Sequence, residues 1–341
     1  MSFAKNVRLV SHIKFTTTSY SLPEVEYLTP KGFIQLFAIV PFIRDFFFAL
    51  TVLLKADKRT TIICVSSSDF MAFVGIFNRL LPIRRRNILL CAPHIETPSR
   101  LKRKFLRWMI DGGSVDTVWS HEAVERQATY LRLPQEKFIF IPYKANHSIH
   151  PRINLPIGNY IFSGGNSQRD YQTLMVAVRD TEIPIIVSIT KSEERNRLKC
   201  PENVIIVAAW EPAFSRLMAG SRFVVLCMDD KIIRGAGEAS ILNAMWHGKP
   251  VVCADNLAAK EYIKEGVTGY VVPAGDANAL QDRIQKLWNT SPIQIEEMGN
   301  RAHEYVRAHF THRHFIERVK KLACVLAADE KTVAKLITPN L

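Results

Sequence analysis

None of the six cysteines stands three positions from another, so the chain holds no Cys-x-x-Cys pair. Cys64, Cys91, Cys227 and Cys253 lie within or at the ends of apolar runs, where cysteine behaves as a small hydrophobe. This usage argues against a disulfide framework or zinc site and for a reducing, cytoplasmic compartment. Low-complexity tracts are missing as well. The opening "MSFAKNVRLVSHIKFTTTS" lacks the apolar core and cleavage site of a secretory signal. An uninterrupted membrane span is also absent. Residues 33–54, "FIQLFAIVPFIRDFFFALTVLL", are long enough to cross a bilayer, but Pro41, Arg44 and Asp45 sit at their middle. Each charge there costs about 2.5–3.5 kcal/mol on insertion scales. The expectation is a buried or interface-lying helix.

What is present is basic charge, unevenly placed. The formal net charge is +13. Residues 1–150 hold 21 Lys and Arg against 11 Asp and Glu, whereas 151–341 hold 24 against 21. The first half therefore faces an anionic surface or substrate. Arg84, Arg85 and Arg86 and the run "RLKRKFLRW" carry much of that charge, with Arg100, Lys102, Arg103, Lys104 and Arg107 set around Phe105 and Trp108. The expectation is an anionic membrane surface, or an acceptor surface, on the inner face of the membrane. A solvated helix face is the plainer reading. No recognised nucleic-acid module accompanies the run, so nucleic acid is not expected.

With 341 residues, two domains are expected. Short apolar runs alternate with helical patterns throughout: "TTIICVSS" (60–67), "NILLCAP" (87–93), "VDTVWS" (115–120) and "KFIFIPY" (137–143) read as strands, with helices at 69–81, 99–110 and 121–131 between them. A second series follows with "NYIFSGG" (159–165), "IPIIVSI" (183–189), "NVIIVAA" (203–209), "RFVVLC" (222–227), "KPVVCAD" (249–255) and "TGYVVPA" (268–274). Such alternation predicts βαβ units and parallel sheets. Residues 146–158, "NHSIHPRINLPIG", have two prolines and no apolar period, and read as an interdomain linker. Two doubly wound domains place ligands at the carboxyl ends of their sheets, in a cleft between them.

The stretch "GAGEASILNAMWHGKPVVCAD" (235–255) runs from a glycine turn into a short apolar helix and then a strand. A helix start offers unpaired N–H groups and a positive dipole end, which suits an anion. The alternative is a capped surface helix, with Ser240 as N-cap and Asn243 folded back on it.

Four blocks in order carry a family resemblance. "YIFSGGNSQRDYQTLMVAV", "NVIIVAAWEPAFSRLMAGSRFVVLC" and "GAGEASILNAMWHGKPVVCADNLAAKEYIKEGVTGYVVPAGDANAL" resemble the donor domain of GT-B glycosyltransferases, especially the retaining family 4, and "DTVWSHEAVERQATYLRLPQEKFIFIPY" resembles the end of its acceptor domain. The resemblance implies an α/β chain of two Rossmann-like doubly wound domains: 1–145 for the acceptor, the linker 146–158, 159–310 for a nucleotide-sugar donor, and 311–341 as a helical segment returning to the first domain. It implies retaining transfer from a nucleoside diphosphate sugar, most often UDP-linked, to a glycan or lipid-linked acceptor, with no metal or other cofactor.

On that resemblance the phosphates meet Gly164, Gly165, Asn166 and Arg169, and the turn and helix start at Gly237, Ala239, Ser240 and Ile241. Lys191 and Arg234 are further cations, and Trp210 offers a base-stacking ring, although a packing role fits it equally. His94 faces the sugar, with His121 as the lesser candidate; a lone histidine is often structural. The family's paired glutamates would fall on Gly235 and Asn243. Asn243 is therefore expected at the ribose and Glu238 at the sugar, as the catalytic carboxylate. The missing pair leaves two rivals open, a non-catalytic subunit and a sugar-nucleotide epimerase of the same fold.

Overall fold

The structure is a computed structural model that describes residues 7–10, 26–28, 41–55, 61–64, 68–80, 87–91, 97, 99–111, 114–118, 121–229 and 236–328. The chain divides into two compact units, residues 1–141 with 316–341, and residues 142–315.

In the first unit, strands β1 (Val7–Val10), β2 (Glu26–Leu28), β3 (Thr61–Cys64), β4 (Asn87–Cys91), β5 (Ser114–Val118) and β6 (Phe138–Phe140) form a parallel sheet in the order β2-β1-β3-β4-β5-β6. The order reverses between β1 and β3, which makes the sheet doubly wound. Helices α1 (Pro41–Lys55), α2 (Ser68–Leu80), α3 (Arg100–Asp111) and α4 (His121–Leu131) alternate with the strands. Strand β3 is buried on both faces, which is why "TIIC" is apolar at every position but its threonine.

The membrane-like stretch resolves from residue 41 onward as α1. Its Phe48, Val52 and Leu53 are buried, and Asp45 is neutralised by the Arg44 guanidinium at 2.9 Å. Residues 33–40 lie outside the described residues. Among the described residues no helix is long and apolar enough to cross a membrane.

The second unit contains β7 (Ile161–Gly164), β8 (Ile185–Ser188), β9 (Val204–Val207), β10 (Val224–Leu226), β11 (Val251–Ala254) and β12 (Gly269–Val272), parallel and in the order β12-β11-β10-β7-β8-β9. This is the dinucleotide-fold order, with its switch point between β7 and β10. Helices α5 (Tyr171–Val178), α6 (Ser192–Arg197), α7 (Ala213–Gly220), α8 (Glu238–Trp246), α9 (Ala259–Tyr262), α10 (Ala277–Trp288) and α11 (Pro292–His309) connect and cover the strands.

Local chemistry explains the helix boundaries. Asp276 caps α10 by accepting from the Ala279 N–H, and Leu280, Ile284 and Leu287 then bury one stripe. Each contributes about 1.5–3 kcal/mol relative to exposure. Helix α11 opens with Pro292 at its first position and a reciprocal Ser291–Gln294 capping box.

Residues 146–158, expected as a linker, belong to the second unit, where the main chain of Ala145 donates to the Phe310 carbonyl. Helix α12 (His312–Ala328) starts in that unit, and from Ile316 it belongs to the first, where the Asn87 amide donates to the Leu326 carbonyl at 2.5 Å.

Candidate functional site

The switch point brings together two loops, residues 165–170 after β7 and the turn that opens α8. Arg169 joins them. Its Nε donates to the Gly164 carbonyl (3.1 Å) and its Nη1 to the Ser167 carbonyl (2.8 Å), while Nη2 donates to the Ser240 hydroxyl (2.7 Å). A one-residue bridge between Arg169 and Met228 closes the floor. One cation thus lies between a glycine loop and a helix start.

Helix α8 begins differently from the sequence expectation. Gly237 is the N-cap, in the left-handed region at φ 93°, where glycine carries no Cβ penalty. Ser240 is therefore not the cap; it is the third helical residue and accepts from Arg169. The Ile241 N–H is already engaged by the Gly237 carbonyl at 2.9 Å. Contrary to the expected role of Ile241, the donors this turn offers are the N–H groups of Ala239 and Ser240, at the positive end of the helix dipole.

Around this centre the other expected residues take defined places. Gly165 lies against the Arg169 guanidinium, and its carbonyl accepts from the buried Tyr171 hydroxyl at 2.6 Å, a phenol whose pKa burial raises. Asn166 exchanges two hydrogen bonds with Thr190, at 2.7 and 3.0 Å, locking the loop to the end of β8. Lys191 stays exposed and reaches the Asn166 carbonyl (2.9 Å). An open cavity of about 600 Å³ lies beside them, lined by Arg169, Gln172, Lys191, Glu194 and Arg197 among others. Trp210 follows β9 and is 71% exposed. His94 and Arg234 lie outside the described residues.

Glu238 is buried, with its carboxylate near Tyr143, Tyr262 and Cys253, whose pKa values it helps to raise after burial itself. Asn243 does not fold back on Ser240. Its Oδ1 accepts from the main-chain N–H of His147 at 3.0 Å.

The sequence reading missed His147, His247 and Glu211. The two imidazoles meet at 2.9 Å, and His147 Nε2 lies 3.2 Å from Glu211 Oε1. No motif marks them, because they come from a short 3-10 helix (Asn146–Ile149), the end of α8 and a turn after β9, far apart in sequence.

In the first unit, Arg100, Lys102, Lys104 and Arg107 are exposed on α3 with Leu101 (78%) and Phe105 (41%) between them. Two residues expected at this surface instead serve the fold. Arg103 stacks on the Tyr130 ring at 4.4 Å, and Trp108 lies under Arg79 at 5.3 Å. His121 opens α4 with its ring against Phe140.

Residues 175–290 match the family described as Glycosyl transferases group 1. No curated protein sequence matches the chain significantly. Among solved structures, TarM of S. aureus is similar at 16% identity and TM-score 0.65, over 83% of this chain and 58% of TarM. The chain thus spans little more than half the length of that protein. Sucrose-phosphate synthase from Thermosynechococcus elongatus is similar at 17% identity and TM-score 0.63, over 89% and 84% of the two chains. HepE from Anabaena, solved with UDP and glucose, is similar at 16% identity and TM-score 0.62, over 87% and 85%. These structures share the GT-B fold with this chain, and residues 175–290 are similar to the group 1 family.

Proposed function

We propose that this chain is a group 1 glycosyltransferase that takes its sugar from a nucleoside diphosphate donor, with the phosphates resting between Arg169 and the start of α8. The observation that carries this reading is the Arg169–Ser240 link at the switch point. A guanidinium charge, two helix-start N–H groups and a dipole end converge there, and each suits a diphosphate. Transfer leaves that diphosphate with developing negative charge, and preset donors stabilise it without reorganisation. The chemistry asks for no metal, because Arg169, Lys191 and the helix start supply the positive charge.

Uridine is the favoured base, since a similar structure binds UDP, and Trp210 is exposed for stacking at the end of β9. In this reading Asn243 contacts the donor's ribose and Glu238 its sugar. The sugar is transferred with its configuration retained. The first unit holds the glycan or lipid-linked acceptor, and α3 docks on anionic headgroups through its exposed cations and the Leu101 and Phe105 tips.

A thermal-shift screen with UDP, GDP, ADP and their sugars tests the reading, because a ligand that binds only the folded state raises its melting temperature. A large shift with UDP and its sugars, and a smaller one with uridine alone, is the expected result. No shift with any of them would remove the donor site.

A further inference from the structure

The hydrogen bonds around His147 have only one consistent proton arrangement. The Ile153 N–H can only donate, so His247 Nδ1 accepts it at 3.3 Å. A neutral His247 then carries its proton on Nε2 and donates to His147 Nδ1 at 2.9 Å. A neutral His147 in turn carries its proton on Nε2, facing the Glu211 carboxylate at 3.2 Å. Every link runs the same way, toward Glu211.

His147 also touches α8 twice on one face, because residues four apart are neighbours on a helix. Its ring meets His247, and its main-chain N–H meets Asn243. An N–H needs an acceptor, so the Asn243 amide must turn its oxygen to His147 and its NH₂ away. We infer that His147 is a positioning residue for the donor site, its main chain orienting the Asn243 amide and its neutral ring bracing α8 against the loop after β9. This rests on the donor reading proposed above.

The charge environment supports a neutral pair. Burial lowers both histidines, His247 to about 3, and outweighs the opposing pull of Glu211 on His147. His150 on the same segment, and Arg152, Lys249 and His303 around His247, disfavour a further positive charge. Protonating His147 would set an Nδ1–H against the His247 Nε2–H and open the brace.

The test is calorimetric titration with UDP from pH 7.5 to 5 for the wild type, His147→Ala and His147→Asn. Asparagine places an acceptor near the Nδ1 position but does not titrate. Removing both ring contacts of the brace, to His247 and Glu211, should weaken UDP about tenfold in His147→Ala. His147→Asn should recover most of that at pH 7.5. Wild-type affinity should fall more steeply toward pH 5 than that of His147→Asn; titration of the ligand's own phosphate is common to both. A wild type that binds UDP, with both variants binding equally well and with the same pH profile, would overturn the inference alone. A wild type that binds no UDP would overturn the donor reading together with it.

Discussion

The guanidinium of Arg169 donates to the Ser240 hydroxyl at 2.7 Å, so the glycine loop after β7 and the first turn of α8 are joined across the switch point of the second sheet. If the proposed donor site holds phosphate at Arg169, Arg169→Ala should weaken UDP far more than uridine. A charge-assisted hydrogen bond contributes about 1.5–3 kcal/mol, so roughly a tenfold loss or more is expected for UDP. Equal losses for the two ligands, measured by calorimetry, would remove Arg169 from the phosphate site.

Gly237 sets the entry angle of α8 from its left-handed conformation, and an added Cβ there would stand 3.0 Å from the Met228 methyl group. Gly237→Ala should therefore lower unfolding free energy by about 1–2 kcal/mol. It should also weaken UDP, since the Ala239 and Ser240 donors would shift. Gly266 is the control: its φ is also positive, at 71°, but nothing lies within 4 Å of an added Cβ. Gly266→Ala should be destabilised while UDP affinity stays unchanged.

How much of this was legible in the sequence differs between its two halves. The strand–glycine–helix unit at Gly164 and the Gly-Lys-Pro-Val-Val strand announced themselves, because buried parallel strands are apolar runs and glycine marks the turns. The cap of α8 did not. Both Gly237 and Ser240 suit a helix start, and only the backbone angle decides between them. His147 was hidden more deeply. It lies in residues 146–158, whose prolines and lack of period read as a linker, yet it reaches Asn243 and Glu211. Hydrogen bonds from a single 3-10 turn to distant elements leave no periodic trace. Strands β1 (Val7–Val10) and β2 (Glu26–Leu28) were equally invisible, since runs of four and three residues show no pattern of their own.

Stability should fall in mild acid. His247 is lowered to about 3 and His312 to about 4, both chiefly by burial. Their folded pKa values lie below the unfolded value of about 6.5, so the unfolded chain takes up protons first. Their contribution is complete above pH 6.5 and is lost as pH falls toward 4. Urea melts at pH 7.5, 6 and 5 should show this decline, and His312→Gln should flatten it. A stability profile flat from pH 7.5 to 5 would show that these rings are not held neutral.

For α3, binding to anionic vesicles should be salt-sensitive and absent with neutral vesicles. Neutralising Arg100, Lys102, Lys104 and Arg107 should abolish it, at about 1 kcal/mol per basic residue, while UDP affinity is retained. Arg103 is kept, because its stacking on Tyr130 serves the fold. Binding that survives high salt would point instead to insertion of apolar side chains, since salt screens surface charge.

Turnover decides whether a nucleoside diphosphate sugar reacts at the second unit with retention. Purified protein incubated with a UDP-sugar in methanol and water, followed by proton NMR, should release UDP and form a methyl glycoside with the donor's anomeric configuration. Arg169→Ala should suppress that release. A donor that binds but is never turned over, or a glycoside of inverted configuration, would contradict the account.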